Sequence, residues 1–125
     1  MKYFWIIACF CLFACEKEPG FGGLASVTGR VYAYDYTPTG VLEGEGYTGD
    51  IDVFIKVEGD SKELERVRTD LDGSFSFTEL RKGTYIIWVY SFCDECTNNQ
   101  EAFTQTITIE KNKDRIVLED FKIDI

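Results

Sequence analysis

Apolar and polar residues alternate one by one along most of the chain, and a period of two is the signature of half-buried strands. Val27, Gly29, Val31 and Ala33 interleave with Thr28, Arg30, Tyr32 and Tyr34. Ile51, Val53, Ile55 and Val57 interleave with Asp52, Phe54, Lys56 and Glu58. A weaker run, Glu63 to Thr69, leads to Asp72-Gly73, after which Phe75 and Phe77 sit among Ser74, Ser76 and Thr78. Tyr85, Ile87 and Val89 follow Lys82-Gly83; Phe103, Ile107 and Ile109 alternate with threonines; Val117, Phe121 and Ile123 come last. The apolar spacing of three and four that a helix needs is absent. The pattern predicts about seven strands, each with one greasy face, and sheets of that kind bury those faces against each other. The expected fold is all-β: an antiparallel two-layer sandwich of about seven strands, spanning 25–125.

The breaks in the pattern predict the connections. Asp72-Gly73 offers the positive φ of a tight hairpin, and Gly83 lets the chain turn between Leu80 and Tyr85. A long acidic loop is expected from Thr37 to Asp50, and a second loop from Cys93 to Glu101.

The first residues follow another logic. Met1 and Lys2 precede an unbroken apolar run, Tyr3 to Ala14, too short to span a bilayer, which takes about 20 residues. A positive residue, a short apolar stretch and a small residue before a polar turn mark a secretory signal. Leu12-Phe13-Ala14-Cys15, followed by Glu16-Lys17-Glu18-Pro19-Gly20, resembles a bacterial lipobox, and Phe13 is larger than the residue usual in its middle. The resemblance implies a signal peptide at 1–14, a lipid on Cys15 and a tether at 15–24. The protein is then held on a membrane of the bacterial cell envelope, with the outer membrane expected. The five cysteines agree: Cys9 and Cys11 leave with the signal, Cys15 becomes a thioether, and Cys93 and Cys96 remain as a pair.

Removal of 1–14 takes only Lys2 from the charged residues, so the formal net charge of −9 becomes −10 on 111 residues. Such a surface repels a phosphate backbone, which argues against nucleic acid as a partner, and leaves membrane attachment to the lipid. The chain has no histidine. That removes the commonest general base, the commonest metal ligand and every Ser-His or Cys-His nucleophile. No enzyme activity, metal or cofactor is expected.

Thr69-Asp70-Leu71-Asp72-Gly73-Ser74-Phe75-Ser76-Phe77, then Leu80, Gly83, Tyr85, Ile87 and Val89, resembles the carboxypeptidase-regulatory-like family of transthyretin-like (prealbumin-like) sandwiches. Val27, Gly29 and Val31 match that family's first strand, and Ile51 to Val57 its second. The resemblance implies the sandwich fold. Two enzyme groups that share this fold, hydroxyisourate hydrolases and intradiol dioxygenases, use histidines that this chain lacks.

Three features are candidates for chemistry. Cys93-Asp94-Glu95-Cys96 reads as a disulfide: its carboxylates would raise a thiol pKa rather than lower it, and zinc wants more thiolates or a histidine. Asp70-Leu71-Asp72-Gly73 lacks the Gly and Glu spacing of a calcium loop. Tyr32, Tyr34 and Tyr36 share one face of the first strand, and Trp88 and Tyr90 share the face opposite Tyr85, Ile87 and Val89. Aromatic rows of this kind are candidate ligand-binding surfaces, unless neighbouring chain covers them. The function expected is therefore a non-catalytic module for protein contact or spacing, the alternative being a carbohydrate-binding module that uses the aromatic face. The partner is an unidentified protein or glycan. Replacing Cys15 with Ser should abolish membrane attachment. Fractionation and mass spectrometry check it: a wild-type chain without lipid overturns the anchor.

Overall fold

The computed structural model describes Glu18–Ile125; the signal expected at 1–14, Cys15 and residues 16–17 lie outside the described residues. Nine strands follow one another: β1 (Phe21–Tyr36), β2 (Leu42–Tyr47), β3 (Asp52–Val57), β4 (Glu65–Arg68), β5 (Ser74–Leu80), β6 (Gly83–Phe92), β7 (Gln100–Ile109), β8 (Arg115–Val117) and β9 (Phe121–Asp124). They form two sheets. In the first, β1 lies between β2 and β5, and β8 and β9 also pair with β1; in the second the order is β4-β3-β6-β7. The all-β sandwich holds, with nine strands in place of about seven.

Both additional strands have a physical origin. The stretch expected as a long acidic loop contains β2, a run of glycines and glutamates with little strand character of its own. It forms because the far half of β1 offers an unpaired edge, on which Tyr47 falls opposite Tyr32 and Glu45 opposite Tyr34. The closing strand divides into β8 and β9 because Leu118 turns inward between them, buried, with its N–H donating to the Thr28 carbonyl at 2.8 Å. These two strands also make the first sheet mixed rather than purely antiparallel. β7 ends with Ile109 opposite Gly83, and a short crossing then brings Arg115 beside Ser26 near the start of β1. From there the chain can only run in the same direction as β1.

Asp72-Gly73 makes a different turn from the hairpin expected. It joins β4 in one sheet to β5 in the other, an arch across the sandwich. Gly73 has φ +81°, and a Cβ there would lie 2.7 Å from the Val31 carbonyl. The Asp72 carboxylate accepts from the Ser74 hydroxyl at 2.6 Å and from its N–H at 3.0 Å. Those donors hold its pKa below the usual carboxylate range.

The core lies between the sheets. Ala25, Val27, Val31, Ala33, Phe75, Phe77, Leu80, Phe121 and Ile123 face Val53, Ile55, Tyr85, Ile87, Val89 and Ile109, all buried. Small residues on β1 make room for rings: a Cβ on Gly29 would stand 2.7 Å from the Phe75 ring, which meets the Phe77 ring edge-on at 6.0 Å.

Residues 20–24, expected in a flexible tether, belong to the sandwich. Strand begins at Phe21, and Gly20 is buried. The Gly20 N–H donates to the Tyr85 hydroxyl at 2.8 Å, that hydroxyl donates to the Arg81 carbonyl at 2.8 Å, and the Arg81 N–H donates to the Gly20 carbonyl at 2.8 Å. Burial pushes the Tyr85 phenol above its ordinary pKa. Pro19 packs against Gly83.

Phe77 is 1 % exposed while Ser76 beside it faces solvent. Phe77→Ala should therefore cost about 3–5 kcal/mol, and Ser76→Ala well under about 1 kcal/mol. Denaturant melts decide: equal losses would mean that the register of β5 is wrong.

Candidate binding surfaces and a cleft

The outer face of the first sheet carries the tyrosine row of β1, joined by Tyr47 of β2. Tyr32 meets Tyr34 and Tyr47 edge-on, with ring centres 5.4 and 5.1 Å apart. The rings are engaged within the chain. Tyr32 donates to Glu45 at 2.9 Å, and Tyr47 donates to Asp120 at 2.6 Å. Each acceptor carboxylate holds its phenol's pKa above the ordinary value. The Arg30 guanidinium covers the Tyr47 ring at 3.6 Å.

Trp88 and Tyr90 lie on the outer face of the second sheet, so the five aromatic candidates do not form one surface. Register places Trp88 opposite Phe54 on β3. Those two rings stack at 5.2 Å and 15°, and Tyr90 meets Phe54 edge-on at 5.5 Å. Lys56 and Arg66 approach the Trp88 and Phe54 rings, each at 5.9 Å. Trp88 is half-buried, and Tyr90 is 40 % exposed. Phe54 belongs to this cluster and was missed. Its signal was present: it is the large apolar residue on the otherwise charged face of Asp52, Lys56 and Glu58.

Tyr36 leaves the row. The β1–β2 register slips between Asp35 and Tyr36, and Tyr36 lines a cleft of about 570 Å³ at the end of the sandwich. Thr37 and Pro38 from the β1–β2 turn, Phe92 at the end of β6, Asp94 in the loop after it, and Asp124 from β9 line it with Tyr36. The Ser91 hydroxyl accepts from the Asp124 N–H at 2.9 Å, which pins β9 to β6 along one wall. Tyr36 is 41 % and Phe92 51 % exposed. The volume falls within the roughly 300–1,000 Å³ of small-molecule sites. Sequence reasoning had Tyr36 and missed Phe92, the next outward residue of β6 after Trp88 and Tyr90. The rest comes from three separated segments that no local pattern links.

Cys93 and Cys96 are joined in a disulfide, Cα atoms 5.4 Å apart, beside this cleft. Glu101 lies near, its carboxylate within 4.8 Å of both sulfurs, but the S–S bond takes both thiolates out of use as metal ligands. Hydrogen bonds hold the same loop, Cys93 N–H to the Asn99 carbonyl at 2.9 Å and Asn99 N–H to the Cys96 carbonyl at 2.9 Å.

No family model matches the chain, and no curated protein matches it in sequence. Among solved structures it is similar to a crystal structure from Pseudomonas aeruginosa, of a protein to which carbohydrate binding has been ascribed. The two are 14 % identical with a TM-score of 0.48, over 78 % of this chain and 88 % of that one. A likeness at this level carries no argument about what this chain binds.

Because backbone hydrogen bonds also hold the Cys93–Asn99 loop, the disulfide should be dispensable for the fold. Serine at both positions is expected to cost about 2 kcal/mol, the loop-closure entropy of so short a ring. Thermal melts measure the loss, and mass spectrometry without reductant should find two hydrogens fewer than the dithiol. Two free thiols in protein purified without reductant would overturn the bond.

Proposed function

We propose that the chain is a lipid-anchored, non-catalytic β-sandwich module of the carboxypeptidase-regulatory-like kind, mediating protein contacts at the bacterial cell envelope. One observation carries this reading: the place where the chain enters the sandwich and the cleft lie at opposite poles. β1 and β6 run in the same direction. β1 starts where Gly20 is clamped by Tyr85 and Arg81, and β6 starts beside it at Gly83. β1 ends at Tyr36 and β6 at Phe92, both on the cleft. Ten residues of β6 at about 3.3 Å each separate the poles by about 30 Å.

A lipid on Cys15 would sit only three residues before Glu18, the first described residue. The docked segment then leaves a short leash, and the cleft faces away from the membrane. The absence of histidine supports a binding role over a catalytic one. A second reading, a glycan lying along β6, is favoured by the exposure of Tyr90 and Phe92, which continue the outward row from Trp88 to the cleft.

The orientation is measurable. Single fluorophores attached to cysteine at Thr39, beside the cleft, and at Lys82, beside the clamp, should respond differently to a quencher placed in the lipids of vesicles carrying the lipidated protein. Strong quenching at Lys82 and little at Thr39 is expected. The reverse, or equal quenching, overturns the upright arrangement.

A further inference from the structure

We propose that the cleft receives the ammonium or guanidinium groups of a basic peptide segment on a protein partner. The inference rests on the reading above and names the chemistry of its partner. The cleft combines two aromatic rings, Tyr36 and Phe92, with two carboxylates, Asp94 and Asp124. None of its lining side chains is Lys or Arg. Ionised carboxylates only accept hydrogen bonds, and ring faces attract cations, so both kinds of wall ask for the same ligand: a positive group rich in N–H donors.

Three comparisons within the molecule narrow the choice. Each outer aromatic face is already served by a cation of the chain: Arg30 on Tyr47, Lys56 on Trp88, Arg66 on Phe54. Among the described residues, neither Tyr36 nor Phe92 has such a cation. The one ion pair among those residues is Arg68–Asp52, so Asp94 and Asp124 have no paired cation there either. Of the two lining hydroxyls, that of Thr37 accepts from the Val41 N–H at 2.9 Å and shares a hydrogen bond with Thr39 at 3.0 Å, so the Tyr36 phenol is the main side-chain donor set against two carboxylate acceptors. A saccharide needs donors as well as acceptors from its site, and an anionic ligand would meet two uncompensated carboxylates. A net charge of −10 on the mature chain also steers basic partners toward it.

Diffuse attraction and a built site can be told apart with the lipidated protein in a neutral detergent. Calorimetric titration uses a capped tri-lysine peptide, a capped tri-glutamate peptide and a neutral chito-trisaccharide. Asp94→Asn and Glu63→Gln each remove one negative charge, the second on an exposed residue outside the cleft. Tyr36→Ala removes a ring without changing charge, at a position exposed enough for the fold to survive, which a melt verifies. The tri-lysine peptide alone should bind. Asp94→Asn and Tyr36→Ala should each weaken it about tenfold or more, and Glu63→Gln less than about twofold. Equal losses from Asp94→Asn and Glu63→Gln would mean diffuse attraction and overturn the site. So would full affinity in Tyr36→Ala, absence of tri-lysine binding, or trisaccharide binding lost on Trp88→Ala. Vesicle quenching reports the anchored orientation independently, so a failed titration with the expected quenching removes the ligand and leaves the module.

Discussion

The small inward residues of β1, set against large rings, are the constraint on which the rest of the sandwich depends. Ala25, Val27, Gly29, Val31 and Ala33 point into the core from one strand of sixteen residues, and four other strands hydrogen-bond to that strand. A side chain larger than hydrogen at Gly29 would strike the Phe75 ring. Displacing Phe75 would disturb its contacts with Phe77 and with Phe121, at 6.0 and 6.2 Å. Those contacts connect β5, β1 and β9, so the first sheet is held in register by the fit of rings over a groove of small residues as well as by its backbone ladder.

The length of β1 has a second consequence. It outruns any single neighbour, so β5 and β8 pair with its near half and β2 and β9 with its far half. The near end is closed by the Gly20–Tyr85–Arg81 hydrogen bonds, whose phenol comes from the other sheet. The far end stays open, because the strands that end there diverge into turns and leave the cleft between them. One pole is closed by the Gly20, Tyr85 and Arg81 backbone and phenol groups bonded to one another, with Arg81 Nε buried there without a partner among the described residues; the other exposes rings and carboxylates. This asymmetry gives an otherwise symmetric two-layer architecture a direction.

The aromatic residues divide along the same line. On both outer faces rings pack edge-on or stacked and arginine or lysine approaches them, and on the first the Tyr32 and Tyr47 hydroxyls end on carboxylates. Such surfaces are largely self-satisfied, and little is gained by a ligand that must displace those contacts. At the cleft, among the described residues, the same residue types stand without a cation over them.

Strand character, inward and outward faces, and the pairing of two cysteines were legible in the sequence, because alternation of period two and the scarcity of thiols are local facts. Phe75, Phe77, Tyr85, Ile87 and Val89 are buried as their alternation requires. Other features were decided by tertiary structure. β2 exists because β1 presents an edge, and no propensity in Leu42–Tyr47 announces it. Asp72-Gly73 became an arch, since the same turn chemistry serves a hairpin or a crossing, and only the packing of Gly73 on Val31 selects between them. Trp88 acquired Phe54 through cross-strand register, and the tyrosine row acquired Tyr47 in the same way. The cleft is the furthest from the sequence: Tyr36, Phe92, Asp94 and Asp124 come from segments dozens of residues apart, and what unites them is where three strands happen to end.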